Sequence, residues 1–478
     1  MNKFQLSVIF MLFLLTVQAQ VNVDSVVGAQ IIAVLPFDYA RDGKEIPVSV
    51  IDSGMFLAPF SIRSFFEEVS YGKTTIQGTV YPYRTNQPPL FGVGYTNCYP
   101  TDMVMINQPD VDYSIIDNII LFAHDTSSNA GCAAGVSSFG KLPFNTADGF
   151  FEFRRSGFRT EFYFPRDFSN TTSSTIAHEL MHSFGNNFHS NSYIQNNGEW
   201  SLQGYGNVFD ILGLRSQATH PCSMIKHKLG WLTENEIVHV QESDTFRIYA
   251  LEKNLPGHTQ ALIIKLDSLL DIQPNDATRF DRLYLEYRGL TGLDNRSSLL
   301  RRVRLKDNTF HPNTDIHGVS IIGVDCQGND CLPVLIDMHP EPIGGVGASY
   351  LPHEASDAPL LLGENYNVPN NNINIEVVFV NVGNYIDVAV TMPAVSSLKT
   401  FNLTGVSVFP SPMSDYLFIK NQFGKNLSFE LIDVNGKILI KTQLTESINV
   451  AHLDSGIYFL RIKDRDSQAF KVEKLVKF

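Results

Sequence analysis

Positive charge is scarce in this 478-residue chain. Its 36 Lys and Arg face 49 Asp and Glu, which leaves a formal charge of −13 and a pI near 5.4. That balance argues against nucleic acid or an anionic membrane as partner. Long apolar runs are missing as well. Beyond the N-terminal segment nothing approaches 18 uninterrupted apolar residues, so no transmembrane segment is expected in the mature chain. The chain contains no internal repeat and no low-complexity tract. Charged residues make up only 18% against 44% hydrophobic ones, the balance of an exported, β-rich protein.

Met1 to Gln20 carries one Lys at position 3, an apolar run Leu6–Val17 and the small-residue stretch Val17-Gln18-Ala19. This reads as a secretory signal peptide over residues 1–19, too short to span a membrane. Export permits disulfides. The five cysteines sit at 98, 132, 222, 326 and 331. Cys326 and Cys331 would close a short local loop, Cys98 and Cys132 are the other candidate pair, and Cys222 is left over. Spacing does not settle the connectivity.

The most informative stretch is His178-Glu179-Leu180-Met181-His182-Ser183-Phe184-Gly185, followed by His189. His178 and His182 are four apart, so a helix presents both imidazoles from one face as ligands for a single Zn2+. Glu179 lies beside the first ligand, where a carboxylate can take a proton from a water activated by the ion. Asn170 to Ser174 is a run of capping residues, and Gly185 is a natural C-terminal stop. The bland reading is an amphipathic helix whose two histidines lie at the surface or core edge. Gly185 and the third histidine weigh against it. His189 is the expected third ligand. Glu199, or no third ligand at all, are the alternatives.

Strands and helices alternate as far as Leu229-Gly230-Trp231-Leu232. Gln30–Phe37, Thr75–Tyr81 and Tyr113–Ala123 read as strands, and Ser61–Val69 as a short helix. From Glu236 to Met392 the pattern is nearly all strand, which predicts a β-sandwich. The linker Pro393–Thr400 follows, and then a last set of short strands. The expected organisation is therefore a signal peptide (1–19), a zinc metallopeptidase catalytic domain (20–235), a β-sandwich (236–393), a linker (394–404) and a terminal domain (405–478).

Several blocks carry a resemblance. Val69-Ser70-Tyr71-Gly72-Lys73, the small-residue segment Gly131–Gly140, HELMHSFG with its following His, Tyr205 to Gly213 and Lys228 to Leu232 occur in the order found in the gametolysin-like branch of the metzincin zinc peptidases. Tyr284 to Arg288 and Leu335 to Met338 resemble the β-domain that follows such catalytic domains. The chain departs from that pattern twice. Three residues, Asn186, Asn187 and Phe188, separate the glycine from the third histidine where the family has two. Leu212 stands at the position of the family's Met-turn methionine, a swap that nearly preserves volume and polarity. The C-terminal segment, with Val408 to Leu417, Asp433 to Lys437 and Leu453 to Tyr458, resembles the type A sorting domain of the type IX secretion system of Bacteroidetes.

These resemblances imply an α+β metzincin-like catalytic domain with a mixed sheet, followed by a β-sandwich and a small all-β Ig-like C-terminal domain. They imply a secreted or outer-surface zinc endopeptidase acting on extracellular proteins or peptides and addressed by its tail to the type IX machinery. Zn2+ would be held by His178, His182 and His189, with Glu179 as general base. Gly135, Val136, Ser137 and Ser138 would pair with an extended substrate; the competing reading of that segment is an interior strand. Asp210 is expected to anchor the turn by hydrogen bonding, and His220 and His227 to be loop histidines rather than a second metal site. The Asn- and Asp-rich loops of the β-region show no EF-hand spacing, which leaves a Ca2+ site unsupported. The reading from another class is a catalytically inactive surface adhesin built on a metallopeptidase scaffold.

Overall fold

Strands that read as unbroken apolar runs, rather than as alternating ones, are buried on both faces, and that rule organises the chain. The computed structural model describes residues 26–38, 45–84, 108–124, 135–146, 148–160, 171–196, 199–213, 219–272, 278–295, 316–327, 330–340, 354–393, 405–421, 424, 426–434, 436–443, 447–465 and 470–478. The signal segment, Cys98, Cys132 and most of the linker lie outside them. The structure is mostly β, in several sheets, and divides into two units, residues 1–393 and 394–478.

The first sheet uses β1 (Gly28–Asp38), β2 (Thr74–Val80), β3 (Asn118–His124), β4 (Gly135–Ser137), β5 (Leu142–Thr146) and β6 (Gly149–Thr160). Its order is β2-β1-β3-β6-β4; β1, β2, β3 and β6 are parallel, while β4 and β5 both run antiparallel to β6. Ile32, Val34, Ile120 and Phe122 face a core shared with the helices, whereas Ala33, Leu35, Ile119 and Leu121 face a second core with Tyr113 and Phe153. Two short helices precede β2: α1 (Val48–Asp52) and α2 (Ile62–Val69). Ser61 caps α2 by accepting the Ser64 N–H at 3.2 Å, and Ile62, Phe65, Phe66 and Val69 form its buried stripe. Next comes α3 (Thr171–Ser183), with residues 173–183 all buried.

The second sheet contains β7 (Asn191–Asn196) and β8 (Glu199–Gln203). After α4 (Ser223–Lys228) it continues with β9 (Ile237–Val240), β11 (Ala261–Leu270), β12 (Phe280–Tyr287), β13 (Val319–Gln327) and β14 (Asp330–Ile336), in the order β8-β7-β14-β13-β12-β11-β9. A third sheet, β10-β17-β16-β15, is built from β10 (Asp244–Tyr249), β15 (Asn365–Val368), β16 (Ile373–Asn381) and β17 (Tyr385–Thr391). Leu262, Leu283, Leu285, Ile321 and Val334 pack against Ile375, Val377, Ile386 and Val388 of the third sheet. Ile263, Tyr284, Ile322 and Leu335 point the other way, into the helical core. The second sheet is thus the middle layer, and it spans the boundary expected at residues 235 and 236. The polar strands NSYIQN and EWSLQ gave no periodic signal for that. A disulfide joins Cys326 and Cys331, directly opposite each other on β13 and β14, and Cys222 is free and buried.

The second unit is all β. Its three-stranded sheet orders β18 (Val406–Phe409), β19 (Tyr416–Asn421) and β22 (Ser447–Asn449) as β18-β19-β22. Its four-stranded sheet orders β20 (Leu427–Asp433), β21 (Ile438–Gln443), β23 (Gly456–Asp464) and β24 (Phe470–Lys477) as β21-β20-β23-β24. One core containing Leu417, Phe429, Leu431, Leu460 and Leu475 lies within it. Among the described residues no helix is long and apolar enough to cross a membrane.

Where the middle layer meets α4, a buried ionic cluster replaces apolar packing. Arg288 donates to Glu286 at 2.8 Å, to Asp294 at 2.8 Å and to the His220 carbonyl at 3.2 Å. Glu286 also accepts the Ser223 N–H at 2.5 Å, and Asp294 accepts the His220 N–H at 2.9 Å. Lys226 Nζ lies 2.9 Å from His220 Nδ1 and 4.0 Å above the Tyr71 ring. Burial, then the nearby Arg288 charge, holds its ammonium well below the usual lysine range. Replacing Arg288 with Met should strand two buried carboxylates and cost about 3–5 kcal/mol. Urea denaturation measures this, and a loss below about 1 kcal/mol would show that the cluster does not depend on the guanidinium.

Candidate metal centre

The C-terminal turn of α3 sits in the interior, so its last four carbonyls need partners. Each has one. Leu180 O accepts the Phe184 N–H and the Ser183 hydroxyl, and Met181 O accepts the Asn186 side-chain amide at 2.9 Å. His182 O accepts Gly185 N–H at 2.9 Å, and Ser183 O accepts Gly140 N–H at 3.1 Å. Gly185 takes φ +96°, the left-handed conformation that ends the helix. Lys228 Nζ donates to the Gly185 carbonyl at 2.7 Å.

Both helical histidines are buried, and each spends one ring nitrogen on a backbone carbonyl. His178 Nδ1 donates to Ile211 O at 2.7 Å and His182 Nδ1 to Asn186 O at 2.6 Å. With the proton on Nδ1, a neutral imidazole carries a lone pair on Nε2. The two Nε2 atoms are 3.2 Å apart. Two lone pairs at that distance repel, whereas two ligands of one tetrahedral metal, each about 2.0–2.1 Å from it, stand about 3.3 Å apart. His189 stands outside regular structure two residues before β7, and its ring lies 4.8 Å from that of His182 and 5.4 Å from that of His178. Ligand atoms of the three histidines lie within 4.8 Å of one another, the one such cluster among the described residues. Three imidazoles are the donor chemistry of a zinc site, and the His178–His182 pair already stands at ligand spacing. Glu199, exposed at the start of β8, does not join it.

The loop from Tyr205 to Gly213 supports this arrangement from below the helix end. Ile211 supplies the carbonyl for His178, and Leu212 O accepts the Ser190 N–H at 3.0 Å, next to His189. Asn207 bonds Ser190 through its backbone N–H at 3.2 Å and its side chain at 3.0 Å. Asp210 accepts the Leu212 N–H at 2.8 Å and the Cys222 N–H at 2.9 Å, and so anchors the turn. Burial nevertheless raises its carboxyl. Leu212 is fully buried in the helical core. The Tyr205 ring lies over that of His189, tilted by 32°, with centroids 3.7 Å apart.

Glu179 is buried and runs against β4. A Cβ at Gly135 would lie 2.5 Å from Glu179 Cγ and 2.9 Å from Oε1, so only glycine leaves that carboxylate its place. Among the described residues β4 ends its sheet, which places Gly135, Val136 and Ser137 on an edge strand, with Ser138 following them. Ser138 to Lys141 bulge out between β4 and β5. Within the bulge, Gly140 caps α3 and Phe139, 55% exposed, sets its ring edge-on to His182 at 5.8 Å.

Sequence reading missed Asn186, Ile211, Tyr205 and Phe139. The first two act through backbone oxygens, which no side-chain pattern reveals. Tyr205 and Phe139 are lone aromatic residues outside the histidine motif, and their spacing carries no signal of contact with it. His220 does lie in a loop, and that loop is fully buried, with His220 bonded to Lys226 and to Glu68. His220 and His227 do not converge, since His227, on α4, contacts Tyr284 and Glu234.

Residues 407–477 match the family described as secretion system C-terminal sorting domain. Such a tail engages the type IX secretion machinery and implies secretion or outer-surface display in a Bacteroidetes-type bacterium. No curated protein sequence matches the chain. Deleting residues 405–478 should hold the chain in the periplasm of a host with that machinery. Unimpaired appearance of the truncated chain in the culture medium would refute the export role.

Proposed function

We propose that the chain is a secreted zinc-dependent endopeptidase of the gametolysin-like metzincin type, acting on extracellular proteins or peptides. The observation that carries this reading is the pair of Nε2 atoms, both unprotonated when the rings are neutral, facing each other at 3.2 Å on a helix that also carries the buried Glu179. His178, His182 and His189 would hold the ion. When bound, zinc supplies a Lewis acid and lowers the pKa of a coordinated water toward neutrality. The protein's own residues do the rest. Glu179 accepts the proton of the attacking water and returns it to the departing amine, so the carboxylate ends as it began. Among the described residues the outer edge of β4 is unpaired, and it would offer Val136 and its neighbours to an extended peptide as an added strand, bringing the scissile bond alongside Glu179. Leu212 replaces the methionine of the family's turn with a side chain of similar bulk.

Digestion of casein or gelatin, with and without a zinc chelator, tests the reading. Glu179→Gln should retain one zinc per chain while losing about 10²–10⁴-fold in turnover. Gly135→Ala should also keep the metal and lower turnover, because the new methyl displaces the Glu179 side chain. Zinc-loaded wild type that digests nothing but binds a protein or glycan surface would favour the adhesin reading. Full turnover by the Gln variant would remove Glu179 from the mechanism.

A further inference from the structure

Tyr205 is the residue that the proposed chemistry leaves unexplained. It adopts φ +60°, a left-handed conformation that aromatic side chains seldom take. The strain is held in place from both sides. The Tyr205 N–H donates to Asn191 Oδ1 at 3.1 Å, and the Gly206 N–H donates to Gln203 O at 3.2 Å. Gly206 must be glycine, since a Cβ there would lie 2.1 Å from Ser192 Oγ. Asn207 is tied to Ser190 by two further bonds. The turn is therefore stitched to residues 190–192, which follow His189 directly. Asn or Gly would occupy such a position more comfortably. What Tyr alone contributes is a ring, which lies 3.7 Å from the His189 ring at 32° and 6.0 Å from that of His178 at 21°.

Resting on the metal-centre reading above, we propose that Tyr205 is a positioning residue that orients His189 by stacking on its face. His178 and His182 ride on a helix whose end is fully hydrogen-bonded. His189 arrives from an irregular segment one residue longer than the resembling family uses, so its ring direction is set by what packs on it. Backbone strain at Tyr205 is the counterpart of that order.

Full-length chain carrying Tyr205→Asn or Tyr205→Phe provides the test, by competition for Zn2+ with a chromophoric chelator and thermal unfolding of the metal-free proteins. Tyr205→Phe keeps the ring and should hold zinc within about threefold of wild type. Tyr205→Asn relieves the backbone and should leave the metal-free fold as stable or more so, yet weaken zinc binding about 10–100-fold. That crossed result is one a merely structural role would not produce. If Tyr205→Asn binds zinc like wild type, or loses fold stability together with zinc, the proposal fails. Activity lost in Tyr205→Phe with zinc intact would give the hydroxyl a catalytic role and overturn the stacking account. A wild-type chain that takes up no zinc would instead sink the metal-centre reading itself.

Discussion

Two imidazole nitrogens facing each other at 3.2 Å, with both rings buried, form the constraint on which the site depends. The arrangement exists because each ring has already given its other N–H to a backbone carbonyl. Those carbonyls are not free to move. Asn186 O is set by the side chain of the same residue reaching back to Met181 O, and Ile211 O by the turn that Asp210 closes. Polar order inside the helix end and the neighbouring loop therefore determines the tautomer of both histidines before any ion is considered.

The same region must be rigid, and the surrounding layers supply that rigidity. The helix is enclosed between the first sheet and the middle layer, with Ile176, Leu180, Met181 and Phe184 sharing one core with Ile322 and Leu335. Beyond it, the Arg288 cluster links β12 to the start of α4, and Cys222 links that start to Asp210. A buried charge cluster adds little net stability over apolar packing, but it demands specific geometry from its partners. The turn next to the histidines is thus connected to the sandwich by directed bonds as well as by packing.

Legibility in the sequence followed the range of the interaction. The i,i+4 spacing of His178 and His182, the short helix ending at Val69 and the stop at Gly185 are local, and the structure has the corresponding helices in place. Buried strands such as β1 and β12 announced themselves by apolar content. β6 did not, because Arg154 and Arg155 interrupt it, and neither did β7 or β8, whose residues are mostly polar. Their strand identity comes from neighbours far away in sequence. The short α4 was equally silent: six residues hold a helix there only because Asp210 and Glu286 accept N–H groups at its start.

What the sequence determined by itself was a set of chemical identities at short spacing: two histidines and a glutamate on one helical turn, a glycine to end it, and a C-terminal tail whose local motifs match a sorting family. Only the tertiary structure decided that His189 converges with them, that Gly135 must lack a side chain, that β4 is an edge among the described strands, and that Tyr205 lies over the third imidazole. Each of these is a meeting of segments tens of residues apart or joined by an irregular loop. Backbone oxygens, ring faces and the free side of a strand carry them, and none has a signature in residue spacing, because packing of the whole unit sets where they point.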